Sequence, residues 1–302
     1  MAKLRTNHGG KGKGASGGTI AKVGVFGAII AALVWGFQNF TGASTMTEDS
    51  EHIDYAGEAY FYPTGGTGQL VEHQGFALSY DEEWEQAEWT AHILTREELQ
   101  REWTKRQDDF RSDPKVKTRS ATDDDYRGSG YDRGHLVPRA DLAWNETFAQ
   151  ETYYMSNISP QARQFNQGIW RELEELTRDW AKRFKRLYVV TGPVMTQTPK
   201  GTIGRQNRVA IPAAYYKVLL DLDDPEQKGI GFVLPNQVSF EPLYEYAYSI
   251  DQVEEITGFD FFAELMPDEL EDRIEAQGNI DLWPFSKKKF DRRINNWNNV
   301  RN

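Results

Sequence analysis

The chain has 302 residues, of which 39% are hydrophobic and 13% aromatic, so it can fill a core and is not disordered along its whole length. It contains no cysteine, which excludes disulfides, thiolate metal sites and cysteine nucleophiles. Its net charge of −11 argues against sequence-blind binding of nucleic acid by the bulk of the surface.

The charge is distributed unevenly along the chain. Residues 1–47 contain five basic side chains and no acidic one, so 48–302 carry all 46 acids against 30 bases, a net charge of −16. Any site for a polyanion must therefore be a local basic patch on an acidic body.

The N-terminal segment has the composition of a targeting sequence. Residues 1–18 are glycine-rich and basic, which predicts a disordered leader, and 19–40 contain a single charge, Lys22. Because a helix needs about 20 residues to cross a bilayer, 19–40 predict a single-pass signal-anchor in the cell membrane. The basic flank predicts a cytoplasmic N-terminus and an exported body, periplasmic or extracellular. The alternatives are a cleaved signal peptide, which would give a secreted protein, and a buried soluble helix.

A linker is predicted at 41–65, and the body after it has no internal repeat and no strict alternation of strands and helices. Predicted strands lie within 76–95, where a turn separates two of them, and at 186–194, 215–222 and 229–236. Residues 96–110 are helical or irregular, and helices are predicted at 166–184 and, with a Ser or Asp cap, at 249–265. This pattern predicts an α+β fold in which helices cover one mixed or antiparallel sheet.

The segment YRGSGYDRGHLVPRADLAWN, at 126–145, contains His135. An isolated histidine is most often a packed structural residue. If DRGH is extended, however, Arg133 and His135 project to the same side and Asp132 points away. Gly134 between them lets another group approach the backbone closely. This combination suits an imidazole that takes a proton from water beside an arginine that binds phosphoryl oxygens.

Asn166 opens the predicted helix and Glu174 lies eight residues further on, about 12 Å along an ideal helix axis and about 80° around it. Both side chains can face one region, but they cannot share the inner shell of one metal ion. That geometry suits Mg²⁺, with Asn166 Oδ1 as the single direct ligand and Glu174 acting through a metal-bound water. The alternative is that Asn166 caps the helix and Glu174 is a solvated acid.

The segments DRGH, SNISPQ and FNQGIWRELE, beginning at 132, 156 and 165, occur in an order that resembles the DNA/RNA non-specific endonucleases of the ββα-metal superfamily. The resemblance spans about 70–265 and depends above all on DRGH combined with Asn157, Asn166 and Glu174. It implies a ββα-metal nuclease domain, placed at 66–285. A basic tail at 286–302 follows, which would either hold single strands by charge and stacking or be a disordered, solvated terminus.

The resemblance also implies a role for each matching residue. His135 would be the proton acceptor that activates water, and Asn166 would be the sole side-chain ligand of a hydrated Mg²⁺, for which Mn²⁺ can substitute. Glu174 would orient metal-bound water or protonate the leaving group through it. Arg133 would bind or stabilise the phosphate, and Asn157 would hold the site or the substrate in place.

The implied reaction is metal-dependent hydrolysis of phosphodiester bonds in DNA and RNA, without sugar or sequence preference, to 5′-phosphate products. Arg127 and Arg139 would add substrate-binding charge, and Arg106 is the nearest match to a further arginine of the family. A homodimer is also expected, because family members often dimerise. Two other functions remain open: a non-catalytic nucleic-acid-binding or DNA-uptake protein, and a metallo-phosphodiesterase for small nucleotides.

Overall fold

The computed structural model describes residues 61–223 and 225–299. The predicted leader at 1–18, the predicted membrane segment at 19–40 and most of the predicted linker lie outside the described residues. Within the described ranges, no helix is both long enough and apolar enough to cross a bilayer.

The described residues form a central sheet of seven strands in the order β1-β2-β3-β6-β9-β10-β11, together with two small two-stranded sheets, β4-β5 and β7-β8. The strands are β1 (Gln69–Glu72), β2 (Ala77–Asp81), β3 (Gln86–Thr95), β4 (Tyr131–His135), β5 (Ile158–Ala162), β6 (Arg186–Pro193), β7 (Thr202–Ile203), β8 (Val209–Ala210), β9 (Ala214–Asp221), β10 (Lys228–Pro235) and β11 (Ala247–Tyr248). Each neighbouring pair in the central sheet is antiparallel, which confirms the antiparallel form of the predicted sheet.

The described α-helices are α1 (Arg96–Leu99), α2 (Asp123–Tyr126), α3 (Glu146–Glu151), α4 (Arg171–Phe184), α5 (Ile250–Thr257), α6 (Asp268–Glu275) and α7 (Lys287–Asn295). Short 3₁₀ turns lie at Arg139–Asp141, Met155–Asn157, Leu243–Tyr246, Ile280–Leu282 and Trp297–Asn299.

Helices cover both faces of the central sheet. On one face α4 buries Leu173, Leu176 and Trp180, and on the other α5 and α6 bury Val253 and Ile274. All ten residues of β3 are consequently buried, although its sequence alternates between polar and apolar residues. The polar side chains of β3 therefore find partners inside the protein instead of facing water.

The folded domain extends beyond its predicted limits at both ends. Phe61 and Tyr62, assigned to the linker by the sequence, are 1% and 9% exposed and pack in the core. The predicted basic tail contains α7, whose buried Arg293 donates its Nε–H to Glu172 Oε2 at 2.6 Å. A disordered, solvated terminus is therefore wrong for 287–299, because this segment is tied to α4 by a buried ion pair.

The helix predicted at 166–184 is not continuous. Regular helix begins at Arg171, and Phe165–Trp170 before it form a wide turn in which Gly168 departs from helical geometry, with φ −104° and ψ −109°. A Cβ at Gly168 would lie 2.7 Å from Asn298 Oδ1, so the packing of the C-terminal segment favours glycine here. The separation calculated for an ideal helix therefore does not apply to Asn166 and Glu174.

The helix predicted at 249–265 is shorter than its sequence pattern. The expected serine cap is confirmed, because the Ser249 hydroxyl accepts a hydrogen bond from Gln252 N at 3.2 Å. The helix ends at Thr257 because Gly258 adopts the left-handed conformation, with φ 80°, that commonly terminates helices.

Candidate active site

Strands β4 and β5 and helix α4 frame the candidate site. Strands β4 and β5 pair antiparallel, with His135 opposite Ile158 and Arg133 opposite Pro160. The chain then passes from β5 through the wide turn Phe165–Trp170 into α4. The end of β4, the wide turn and the start of α4 consequently lie around one cavity.

This cavity has a volume of about 490 Å³. Six of the eight predicted site residues line it: Arg106, Arg133, His135, Arg139, Asn166 and Glu174. Arg127 lines an adjoining cavity of about 580 Å³ that shares Arg106, Arg133 and Asn166 with the first. Asn157 lines neither cavity, so the structure brings together all of the predicted residues except this asparagine.

His135 faces the cavity from the end of β4. Its ring contacts Tyr153 edge-on, with centroids 5.2 Å apart and an interplanar angle of 82°. Burial lowers the pKa of His135 to about 4, and the positive charges of Arg106 and Arg139 act in the same direction. The carboxylate of Asp108 opposes them. The imidazole is therefore neutral at pH 7, the form that can accept a proton.

Arg133 and His135 project to the same side of β4, as expected from their spacing. The guanidinium carbon of Arg133 lies 4.6 Å from the centroid of the Phe110 ring, and the His135 ring lies 5.6 Å from the same centroid. A Cβ on Gly134 would lie 2.1 Å from Cδ of Gln161, which confirms that another group approaches the backbone closely at this position.

Asn166 is oriented by Asp132, to which its Nδ2 donates a hydrogen bond at 3.1 Å. Because a carboxylate only accepts hydrogen bonds, the NH₂ group must face Asp132, and Oδ1 is the atom left for a cation. The prediction that Asp132 points away from the site is therefore wrong, since β4 lies close enough to the wide turn for Asp132 to reach it. Asn166 also lies inside that turn and does not cap α4.

Glu174 is half-buried on α4 and is not a solvated acid. Burial raises the pKa of Glu174 to about 7, and the nearby charges of Arg178 and Lys217 oppose this rise. Arg178 lies one helical turn further on, lines the same cavity and donates to Asp141 Oδ1 at 2.7 Å. Arg178 is absent from the residues predicted from the sequence, although its spacing of four from Glu174 was a signal that both share one helix face.

Asn157 is fully buried, and its carboxamide is bonded to backbone groups. Its Oδ1 accepts from Val137 N at 2.9 Å, and its Nδ2 donates to Val137 O at 3.0 Å and to Thr152 O at 2.9 Å. The side chain thereby fixes the backbone two residues after His135. Of the two roles expected of Asn157, these contacts favour holding the site over holding the substrate, because the residue does not line the cavity.

The three predicted substrate-binding arginines are each held by an oxygen acceptor. The contacts are Arg139 Nη2 to Thr104 O at 2.6 Å, Arg106 Nε to Asp108 Oδ1 at 2.7 Å and Arg127 Nη1 to Asp124 Oδ1 at 2.7 Å. With Arg133, Arg171 and Arg178 they form the local basic patch that an acidic body requires for a polyanion site.

The oxygen donors of the cavity fit a hydrated Mg²⁺. They are the free carboxamide oxygen of Asn166 and the carboxylate of Glu174, the ligand types that this ion prefers. A group of three carboxylates within metal-binding reach of one another does occur among the described residues, but it lies on α5 and α6 and not in this cavity.

Residues 56–268 match the family described as DNA/RNA non-specific endonuclease. The chain belongs to this family. It is 32% identical to human mitochondrial endonuclease G over 70% of this chain and 75% of that protein. It is 34% identical to nuclease C1 of Cunninghamella echinulata var. echinulata, over 68% and 87%, and 34% identical to the mitochondrial nuclease EXOG of Danio rerio, over 74% and 70%.

A solved relative has a similar fold. The structure of endonuclease G in the EndoG/EndoGI complex aligns with a TM-score of 0.60 at 30% identity, and the match covers 68% of this chain and 89% of that one. This member of the DNA/RNA non-specific endonuclease family is accordingly a mixed α+β protein with a central antiparallel sheet, and it is a hydrolase of the nuclease class.

Proposed function

We propose that the protein is a metal-dependent endonuclease that hydrolyses DNA and RNA without sugar or sequence preference and leaves 5′-phosphates. The observation that carries this proposal is that His135, Asn166 and Glu174 line a single arginine-rich cavity in a member of the DNA/RNA non-specific endonuclease family.

His135 acts as the general base. Its lowered pKa keeps the imidazole neutral at physiological pH, so it can take the proton of the attacking water. Arg133, which contacts the same Phe110 ring as His135 and lines the same cavity, would bind the non-bridging oxygens of the scissile phosphate. Asn157 holds the backbone that positions the imidazole.

Asn166 Oδ1, oriented by Asp132, and the carboxylate of Glu174 would hold a hydrated Mg²⁺, with Mn²⁺ as a substitute. When bound, the ion supplies positive charge that offsets the negative charge developing on the phosphate. The surrounding arginines bind the neighbouring phosphates. Because phosphates carry no sequence information, binding through them supports cleavage at any sequence.

A plasmid-nicking assay tests this function, run with Mg²⁺, with a chelator and with the His135→Ala variant. We expect nicking that requires the metal and that falls at least about 100-fold in His135→Ala, because the transition state loses its base. The Tm of the variant should stay close to that of the wild type. Absence of metal-dependent nicking would instead favour a non-catalytic binding protein, and preferential cleavage of a dinucleotide over long DNA would favour a small-nucleotide phosphodiesterase.

We also propose that 19–40 anchor the protein in the cell membrane and that the nuclease domain is exported, or secreted if this segment is cleaved. The charge asymmetry between 1–47 and 48–302 supports this topology. A homodimer remains a prediction from the family resemblance.

A further inference from the structure

A second cluster of carboxylates lies between α5 and α6, apart from the residues that line the active-site cavity. Asp251 and Glu254 are on α5, and Glu275 is the last residue of α6. One carboxylate oxygen from each lies within 4.8 Å of the other two. We propose that these three side chains bind a divalent cation of the Ca²⁺ class, independently of the nuclease reaction, and that this cation holds the two helices together.

Glu275 distinguishes this cluster from an ordinary acidic surface. Its side chain is only 6% exposed, and among the described residues no hydrogen-bond donor reaches its buried Oε1. A buried carboxylate oxygen without a donor destabilises a fold unless a cation or a proton compensates it. Glu275 reaches the cluster from inside the protein, and water cannot solvate its Oε1 there.

The charges around Glu275 are of one sign. Burial first, and then the carboxylates of Glu254, Glu271, Asp251 and Asp260, together raise the pKa of Glu275 to about 9. The pKa of Glu254 is likewise raised, to about 7, by burial and by neighbouring acids. Like charges held this close disfavour the ionised form of each, and a bound dication reverses that effect.

A set of three carboxylates from two helices, open to water on one side, suits Ca²⁺ better than Mg²⁺. Ca²⁺ accepts six to eight oxygens in flexible arrangements, whereas Mg²⁺ demands near-ideal octahedral geometry. Glu254 Oε1 already accepts a hydrogen bond from Phe261 N at 2.8 Å, which fixes this carboxylate and leaves its other oxygen for the ion. Asp251 is exposed, so water can complete the coordination shell on its side.

The binding of Ca²⁺ to the chelator-treated full chain tests the site, with Tm as the readout. At about a hundredfold excess over Kd we expect Ca²⁺ to raise the Tm by about 5–10 °C. Because the active-site cavity can also hold a dication, the same titration is run on Asn166→Ala, which should keep the shift. Glu275→Gln should lose it, while its metal-free Tm stays close to that of the wild type, since the carboxamide has nearly the shape of the protonated carboxyl group that a pKa of about 9 implies.

Glu255→Gln is the matched control, because Glu255 is an exposed acid next to Glu254 on α5 and lies outside the cluster. This variant should respond to Ca²⁺ like the wild type. The site is refuted if Ca²⁺ does not shift the wild-type Tm, if Glu275→Gln retains the shift, or if Asn166→Ala abolishes it. Nicking in Mg²⁺ is measured separately, so failure of the nuclease function and failure of this site are distinguishable.

Discussion

The NH₂ group of the Asn166 carboxamide donates a hydrogen bond to Asp132, and its Oδ1 is left to bind the metal. Single substitutions at Asn166 and at Asp132 test these two roles separately. Asn166→Ala should raise the Mg²⁺ concentration for half-maximal nicking at least about 10-fold, because the ligand oxygen is lost. Asp132→Ala should raise it by about 10-fold, because Asn166 is then free to rotate. Nicking rate as a function of Mg²⁺ concentration measures both effects.

Gln167→Ala provides the control for this pair of variants. Gln167 donates to the same Asp132 oxygen at 3.1 Å, but it is not the proposed ligand. Its removal should leave the Mg²⁺ titration unchanged. An Asn166→Ala protein with a wild-type titration would contradict the assignment of the ligand.

A second prediction at the residue scale concerns the pKa of His135. Burial lowers the pKa of this histidine to about 4. Nearly all of the imidazole is therefore in its neutral, proton-accepting form above about pH 5, and this form is lost as the pH falls through 4. An NMR titration of the ring, assigned by comparison with His135→Ala, should show no protonation between pH 5.5 and 8. In Arg106→Ala the midpoint should move upward, since a nearby positive charge is removed; a wild-type midpoint near the ordinary 6.5 would contradict the prediction.

Short motifs were enough to predict His135, Asn166 and Glu174 as cavity residues, whereas Arg178, which also lines the cavity, and the residues that support the site were not predicted. Strand geometry alone placed Arg133 and His135 on one side. The contact of Asp132 with Asn166 depends on the approach of the wide turn to β4, which no local pattern encodes. Asn157 has the right spacing for an active-site residue, yet its contacts are with backbone groups on either side of it in the fold.

At the scale of elements, α7 is held to α4 by ion pairs, of which only Arg293–Glu172 has both side chains fully buried. Arg293 and Glu172 are both buried, and the guanidinium also donates from Nη2 to Glu241 O at 2.6 Å. Arg293→Ala should lower the free energy of unfolding by about 3–5 kcal/mol, because Glu172 is left as an uncompensated buried charge. Urea denaturation measures the loss. Arg292→Ala, which removes the exposed neighbour on the same helix, should cost less than about 1 kcal/mol, and equal effects of the two variants would contradict this explanation.

Hydrophobic patterning located the central strands together with their limits, but it did not give the limits of the helices. The strands at 186–194, 215–222 and 229–236 appear within one or two residues of their predicted positions, because continuous apolar runs between turn residues are a strong local signal. The sequence did not predict a helix in the tail, because α7 has little apolar surface. The buried ion pair of Arg293 with Glu172 helps to hold it in place instead. The kink at Gly168 depends on Asn298, which is far away in sequence.

At the scale of the whole molecule, the acidic body and the arginine-lined cavity have opposite effects on nucleic acid. The net charge of −16 over 48–302 repels a phosphate backbone from most of the surface, while the cavity arginines attract it at one place. The amino-acid composition therefore argued against binding of nucleic acid by the whole surface. It could not show that the arginines lie together around one cavity.

The predicted topology is tested on the whole protein in cells. Protease added to intact cells should digest the chain beyond about residue 45, because 19–40 would leave the nuclease domain outside the membrane. Digestion followed by detection of an N-terminal and a C-terminal tag measures this, with permeabilised cells as the control. Full protection of the C-terminal tag in intact cells would overturn the export proposal.

Asn298 packs against Gly168, in the turn that carries Asn166. Trp297, beside it, lies under the guanidinium of Arg171 at 4.3 Å, at the start of α4. The turn therefore reaches its final packing only after the ribosome has synthesised the chain as far as Asn298, well after Asn166 itself has emerged.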